Sequence, residues 1–402
     1  MAQASAVGEV GPVGPWRVRF PHVVDVGLDG GDGRPRATGP LAGVRVAVKD
    51  LFAVAGQRVG AGNPTVLRRA GVASRNSVAV QTLVDAGAVV AGIARTDELA
   101  FSIAGVNQHE GAVVNPRRPG FLVGGSTSGP AAAVAGGEAD LGLGTDTAGS
   151  IRVPASYCGL WGLRLTHGSV GVEGLRPLAP SFDAVGLLAR EPGLLTRAAG
   201  ALGAADVTTP VRRIVVPAPL LDLLASGARR PFLAAAAALA HRQGPAELVV
   251  AEHGWSRAQL EAWLVSFRAL QAHEAWQVNQ ELLDVEGAIS PEVRARILHG
   301  QDVDVALQRS VLGTARADLL GRLDGDTVLC LPSTSGTAPR VATGAAELEG
   351  VRAATMRLTF LAPLAGLPAV SAPLLTHEGA PMGVSLVGAP GDDLRLLRCA
   401  AA

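Results

Sequence analysis

The chain has 402 residues and balances 35 basic against 35 acidic side chains, and it is 48% hydrophobic but only 3% aromatic. Zero net charge and few rings exclude the basic footprint or stacking platform of a nucleic-acid binder. With no run of about 20 uncharged apolar residues and no basic-then-apolar start, the sequence reads as soluble and cytoplasmic, with no membrane partner.

In chain order, residues 1–38 are rich in Gly, Pro and Val and include Gly30-Gly31-Asp32-Gly33, which predicts an irregular lead-in built of turns. From Gly39 onward, apolar runs suited to buried strands (44–48, 88–93, 141–144) alternate with helical patterns such as Ser77 to Ala86. That alternation predicts a mostly parallel sheet covered by helices. Between about Leu195 and Leu323 the texture turns helical, with helices expected over 231–242 and 256–286. Strand texture returns at 327–331, 369–371 and 383–387 and is expected to complete the sheet. The reading is one α/β domain over 39–402, with 195–323 as a variable helical section inside it. In the second helix, Leu260, Trp263, Leu264 and Phe267 lie at helical spacing and are read as core.

Lys49 is the only lysine among the 35 basic side chains. A guanidinium stays protonated and cannot act as a base, so a lysine kept where everything else is arginine points to proton transfer. It ends the apolar run Val44 to Val48, a setting whose desolvation lowers an ammonium pKa from its usual ~10.4. Two Gly-flanked serines stand out further on. Gly124-Gly125-Ser126-Thr127-Ser128-Gly129-Pro130 runs into an alanine-rich helix, with Pro130 placed as a first helical residue. A P-loop is excluded because no Lys-Ser/Thr pair follows the glycines. Ser150 lies 24 residues beyond Ser126, in Gly144-Thr145-Asp146-Thr147-Ala148-Gly149-Ser150. Small residues there allow a tight turn that exposes consecutive N–H groups beside a hydroxyl. One lysine and two such serines supply what acyl transfer needs: a nucleophile, a proton route, a base and a donor nest.

The segment Gly124 to Pro154, the 77-residue gap from Lys49 to Ser126 and the 24-residue gap to Ser150 resemble the amidase signature family of Ser-cisSer-Lys serine hydrolases. Asp97-Glu98, Asn115-Pro116, Pro332 and Leu364 to Ser371 extend the likeness over nearly the whole chain from Gly39. Gly60 to Pro64 and Val153 to Gly159 look most like the short plant-type enzymes that hydrolyse indole-3-acetamide. The resemblance implies an α/β/α fold with a mixed, twisted central sheet covered by helices on both faces. It also implies catalytic roles for Lys49, Ser126 and Ser150. Ser150 would attack the amide carbonyl, and Ser126, after a cis Gly125–Ser126 peptide, would carry its proton to neutral Lys49. The N–H groups of Thr147, Ala148, Gly149 and Ser150 would form the oxyanion hole, with Gly125, Thr127, Asp146 and Arg152 in support. Asp146 and Arg152 are expected to brace the loop as an ion pair. Phe101 and Asn107 lie where members of that family begin to shape the acyl site.

The implied activity is hydrolysis of a small neutral primary amide, an arylacetamide on the subfamily likeness, to a carboxylic acid and ammonia. No cofactor or metal is expected, because the eight histidines show no paired-ligand spacing. Cys158, Cys330 and Cys399 are too few and too scattered for a disulfide framework. The partner is the small amide, with at most a homodimer as assembly. Three alternatives stay open: a hydrolase of carbamoyl compounds or esters, an amidotransferase subunit, and a catalytically weak binding protein on the same fold. Ala148 stands where the family usually has glycine, so a positive φ at this position would strain the turn.

Overall fold

The structure is a computed structural model that describes residues 12–24, 38–244, 246–252, 254–323 and 325–402. The Gly30–Gly33 turn expectation lies outside those residues. Among the described residues thirteen strands follow in chain order: β1 (Trp16–Val24), β2 (Arg45–Lys49), β3 (Val89–Ala94), β4 (Val106–Asn107), β5 (Gly111–Ala112), β6 (Leu141–Asp146) and β7 (Trp161–Arg164). After them come β8 (Ala184–Ala189), β9 (Arg213–Pro217), β10 (Glu247–Ala251), β11 (Thr327–Pro332), β12 (Ala369–His377) and β13 (Ala380–Val387). Strands β4 and β5 form a small hairpin, and the other eleven form one sheet in the order β1-β3-β2-β6-β8-β7-β12-β13-β11-β9-β10.

The sheet is mixed rather than mostly parallel. Strands β3, β2 and β6 run parallel, as do β11, β9 and β10, while the middle from β6 to β11 is antiparallel throughout. Successive strand residues point to opposite faces, and here both faces are buried. Val46, Val48, Leu143 and Leu187 enter one apolar cluster with Phe232 and Phe267 of the overlying helices. Ala47 and Leu188 enter a second cluster, with Ala131 to Val134 of the helix Ser128–Ala135. Helices therefore cover both faces, as the resemblance implied.

Two expectations need correction. The lead-in is not wholly irregular, because β1 pairs antiparallel with β3 and forms an edge of the sheet. The section 195–323 is not wholly helical either, because β9 and β10 lie within it and complete the opposite edge. The expected helices are present at Arg229–Arg242 and Arg257–Leu283, and Trp263 and Phe267 are core residues, Phe267 meeting Phe182 edge-on at 4.7 Å.

Strands β2 and β6 are parallel neighbours with Val48 opposite Leu143, so their C-terminal ends share one edge of the sheet. That edge is where open α/β sheets present side chains to ligands. Lys49 ends β2, and Thr145 and Asp146 end β6.

Candidate active site

Lys49 is fully buried, and its Nζ donates to Ser126 Oγ at 2.8 Å and to Thr145 Oγ1 at 2.9 Å. Burial lowers its pKa from the ordinary 10.5 to about 7, against the opposing pull of the Asp97, Asp183 and Asp146 carboxylates. The neutral amine is therefore accessible near neutral pH.

Ser126 follows a cis peptide bond from Gly125. Its carbonyl accepts from Thr96 Oγ1 at 2.8 Å and from Asp97 N at 3.2 Å. Gly125 has no room for a side chain, since a Cβ there would fall 2.2 Å from Asp97 Oδ2. One residue on, Thr127 N donates to Ser150 O at 3.3 Å and Thr127 Oγ1 to Thr145 O at 3.3 Å. These bonds tie the Ser126 loop to the Ser150 loop. Pro130 is the third residue of the helix Ser128–Ala135, not the first, but it is still in the first turn, where a backbone N–H has no intrahelical acceptor.

The turn from Asp146 to Ser150 is wound around one carboxylate. Asp146 Oδ1 accepts from Gly149 N at 2.9 Å and Asp146 Oδ2 from Ile151 N at 3.2 Å. Arg152 grips both oxygens, with Nε to Oδ2 at 3.0 Å and Nη2 to Oδ1 at 2.9 Å. Arg164, fully buried, donates from Nη1 to the Asp146 carbonyl and to Phe182 O at 3.0 Å. Despite its burial, the Asp146 carboxyl is held far below the usual carboxylate range by the two guanidinium groups and the backbone donors. Asp146 and Arg152 thus brace the loop in the way expected of them. Arg164 was not singled out in the sequence, where an arginine in a four-residue strand carries no motif.

This bracing bears on the oxyanion-hole expectation. The Gly149 N–H is committed to Asp146 and is not free to serve a ligand. Ala148 is unstrained, because the left-handed conformation falls on Gly149, with φ of 120°, and not on Ala148. Its carbonyl accepts from Thr359 Oγ1 at 2.6 Å. Thr147 is held by its hydroxyl, which donates to Asp183 Oδ1 at 2.5 Å, while Asp183 Oδ2 accepts from Leu178 N and Ala179 N at 2.8 and 3.0 Å. Asp183 and Thr145 are thus site residues beyond those singled out. Thr145 stood inside the quoted motif, one residue from Asp146, and the strand alternation that puts it on the Lys49 side was the available signal.

Ser150, Thr147 and Ala148 line a cavity of about 320 Å³ that Phe101, Leu178 and Met356 also wall, a volume suited to a small organic ligand. The wall includes Ala100, which has a φ of 58°, a conformation that costs a non-glycine residue ~1–3 kcal/mol and clusters at functional sites. Asn107 is not in that wall. Its amide donates to Gly62 O at 2.7 Å and Thr96 O at 3.0 Å, which makes it a brace for the loops. Cys158 is buried, and its thiol is pushed up to about 12 by desolvation, which leaves it unreactive. Among the described residues no group of three or more His, Cys, Asp or Glu is arranged to hold a metal ion, and no helix is long and apolar enough to cross a membrane.

Comparison with known proteins gives the family. The family model described as Amidase matches residues 30–192. Amidase 1 of Oryza sativa subsp. japonica is 34% identical over 89% of this chain and 89% of its own length. The 1-carboxybiuret hydrolase subunit AtzE of Pseudomonas sp. (strain ADP) is 34% identical over 89% of this chain and 83% of its own. A crystal structure described as an amidase superposes with a TM-score of 0.80 at 31% identity, covering 92% of this chain and 85% of that one. A likeness that spans both chains almost end to end, at these identities, leaves one assignment: the chain belongs to the amidase signature family.

Proposed function

We propose that this enzyme hydrolyses the amide bond of a small molecule through a serine acyl-enzyme, with Ser150 as nucleophile, Ser126 as proton relay and Lys49 as base. The observation that carries the reading is the buried Lys49 amine, 2.8 Å from Ser126 Oγ and with a pKa near neutrality. A neutral amine there accepts the Ser126 proton as Ser126 accepts that of Ser150, and Ser150 Oγ bonds to the amide carbon. The oxyanion that forms is held by the N–H groups of Thr147, Ala148 and Ser150. One such donor typically lowers the barrier by ~3 kcal/mol. Collapse returns the proton through Ser126 to the leaving nitrogen, and ammonia departs when the amide is primary. Water then attacks the ester by the same relay, regenerating Ser150 and releasing the acid.

The full set Lys49, Ser126 and Ser150 on an intact loop speaks against a catalytically weak binding protein. Similarity to plant Amidase 1 and to a 1-carboxybiuret hydrolase subunit supports a small amide or carbamoyl substrate. A neutral arylacetamide fits the cavity less well, because Arg268, Arg296 and Arg352 line it together with Ser150 and only Arg352 is paired with a carboxylate. The test is ammonia release from a panel of primary amides by wild type and Ser150→Ala. Turnover of at least one amide by wild type and none by the variant is expected. Equal release by the two would overturn the serine mechanism.

A further inference from the structure

Arg268, Arg296 and Arg352 come from three different helices, Arg257–Leu283, Pro291–Leu298 and Ala345–Thr359, and line the same cavity as Ser150. Arg352 is already neutralised by a two-point pair with Glu349, both contacts 2.6 Å. The other two are not. Arg296 is half-buried and donates from Nη1 to the Phe101 carbonyl at 2.7 Å, which fixes it beside the cavity, and it makes no ion pair among the described residues. Arg268 makes no ion pair among the described residues, although the Glu349 and Glu261 carboxylates act on it from nearby. No carboxylate belongs to the cavity wall among the described residues. Arg268 is exposed and Arg296 half-buried, and the Glu349 carboxylate acts on both without pairing with either, so their planar guanidinium groups stay open to a carboxylate in a two-point geometry.

We infer that the acyl part of the substrate carries a carboxylate, remote from the scissile amide, that docks against Arg268 and Arg296. This rests on the amide-hydrolase reading and deepens it: the substrate class is an amido acid, and the product a dicarboxylic acid. Arg268 and Arg296 are specificity-determining residues that hold the acid end while Ser150 meets the amide end.

Two measurements test this. The first compares kcat/KM for malonamate, succinamate and glutaramate with that for the neutral amides in which methyl replaces carboxylate, using wild type, Arg268→Gln and Arg296→Gln. Wild type is expected to favour at least one amido acid over its neutral counterpart by about tenfold or more. Arg268→Gln should erase that preference by raising KM for the amido acid far more than for the neutral amide. Neutral amides hydrolysed as fast as the acids by wild type, or a variant that slows both alike, would overturn the inference. The second measures binding of the same pairs to Ser150→Ala by calorimetry, where no turnover occurs. Preferential binding of the acids supports the inference even if the serine mechanism fails, and equal binding overturns it even if that mechanism holds.

Discussion

Replacing Lys49 by methionine should make the protein more stable at neutral pH while silencing it. The buried amine falls from 10.5 to about 7 on folding, so at pH 7 the unfolded chain holds a proton that the folded chain half releases. At ~1.4 kcal/mol per pH unit, retaining this lysine costs about 4 kcal/mol at pH 7 and under about 1 kcal/mol at pH 10. Methionine removes that cost but leaves the Ser126 and Thr145 hydroxyls without their partner, an offset of ~1–3 kcal/mol that does not depend on pH. The sign follows from proton binding. Between pH 7 and 10.5 the unfolded wild type binds more protons than the folded form, so its stability rises with pH, and that rise is absent in Lys49→Met. Urea unfolding of both proteins at pH 7, 8.5 and 10 should show the advantage of the variant shrinking by about 3–4 kcal/mol across the range. An advantage that stays constant would mean that Lys49 is an ordinary charged lysine in the fold, and the base assignment would fail with it.

Further expectations concern the loop and the pH response. Asp146→Asn leaves Arg152 and Arg164 buried without their carboxylate and loosens the Gly149 and Ile151 donors. It should destabilise by about 3–5 kcal/mol in urea unfolding and abolish turnover. Gly149→Ala puts a Cβ at φ of 120° and within 3.0 Å of Thr359 Oγ1, so a loss of about 1–3 kcal/mol with a larger loss of kcat is expected. The kcat/KM profile should rise with pH through an apparent pKa of about 7 as Lys49 becomes neutral. His109, whose pKa is raised by its bond to Glu98, adds stability that is complete below its unfolded value. That contribution is lost as pH rises through the folded one, so the stability gap between wild type and His109→Asn should shrink across that window.

The residues of the candidate site were legible because the chemistry proposed for them calls for residue types that are scarce or distinctively placed in this chain. A lone lysine at the end of a buried strand and two serines in glycine-rich turns mark Lys49, Ser126 and Ser150 before any coordinates. The central strands were legible as well, since β2, β3 and β6 each contain a short apolar run. The edges were not. β10 rests on the short run Leu248 to Ala251 between two strong helices, so its section read as helical. In β1, Trp16, Val18 and Phe20 alternate with Arg17 and Arg19, a period-two signal that Pro21 and the surrounding glycines obscured. Arg164, Asp183 and the three cavity arginines lay beyond reach for a different reason. Their roles come from long-range packing, which no local pattern in a single sequence encodes.

The most direct test of the central claim is intact-mass spectrometry after treatment with a serine-directed fluorophosphonate. The account predicts one adduct on wild type, none on Ser150→Ala, and sharply slowed labelling of Lys49→Met. An adduct that persists in Ser150→Ala, or labelling indifferent to the loss of Lys49, would contradict it.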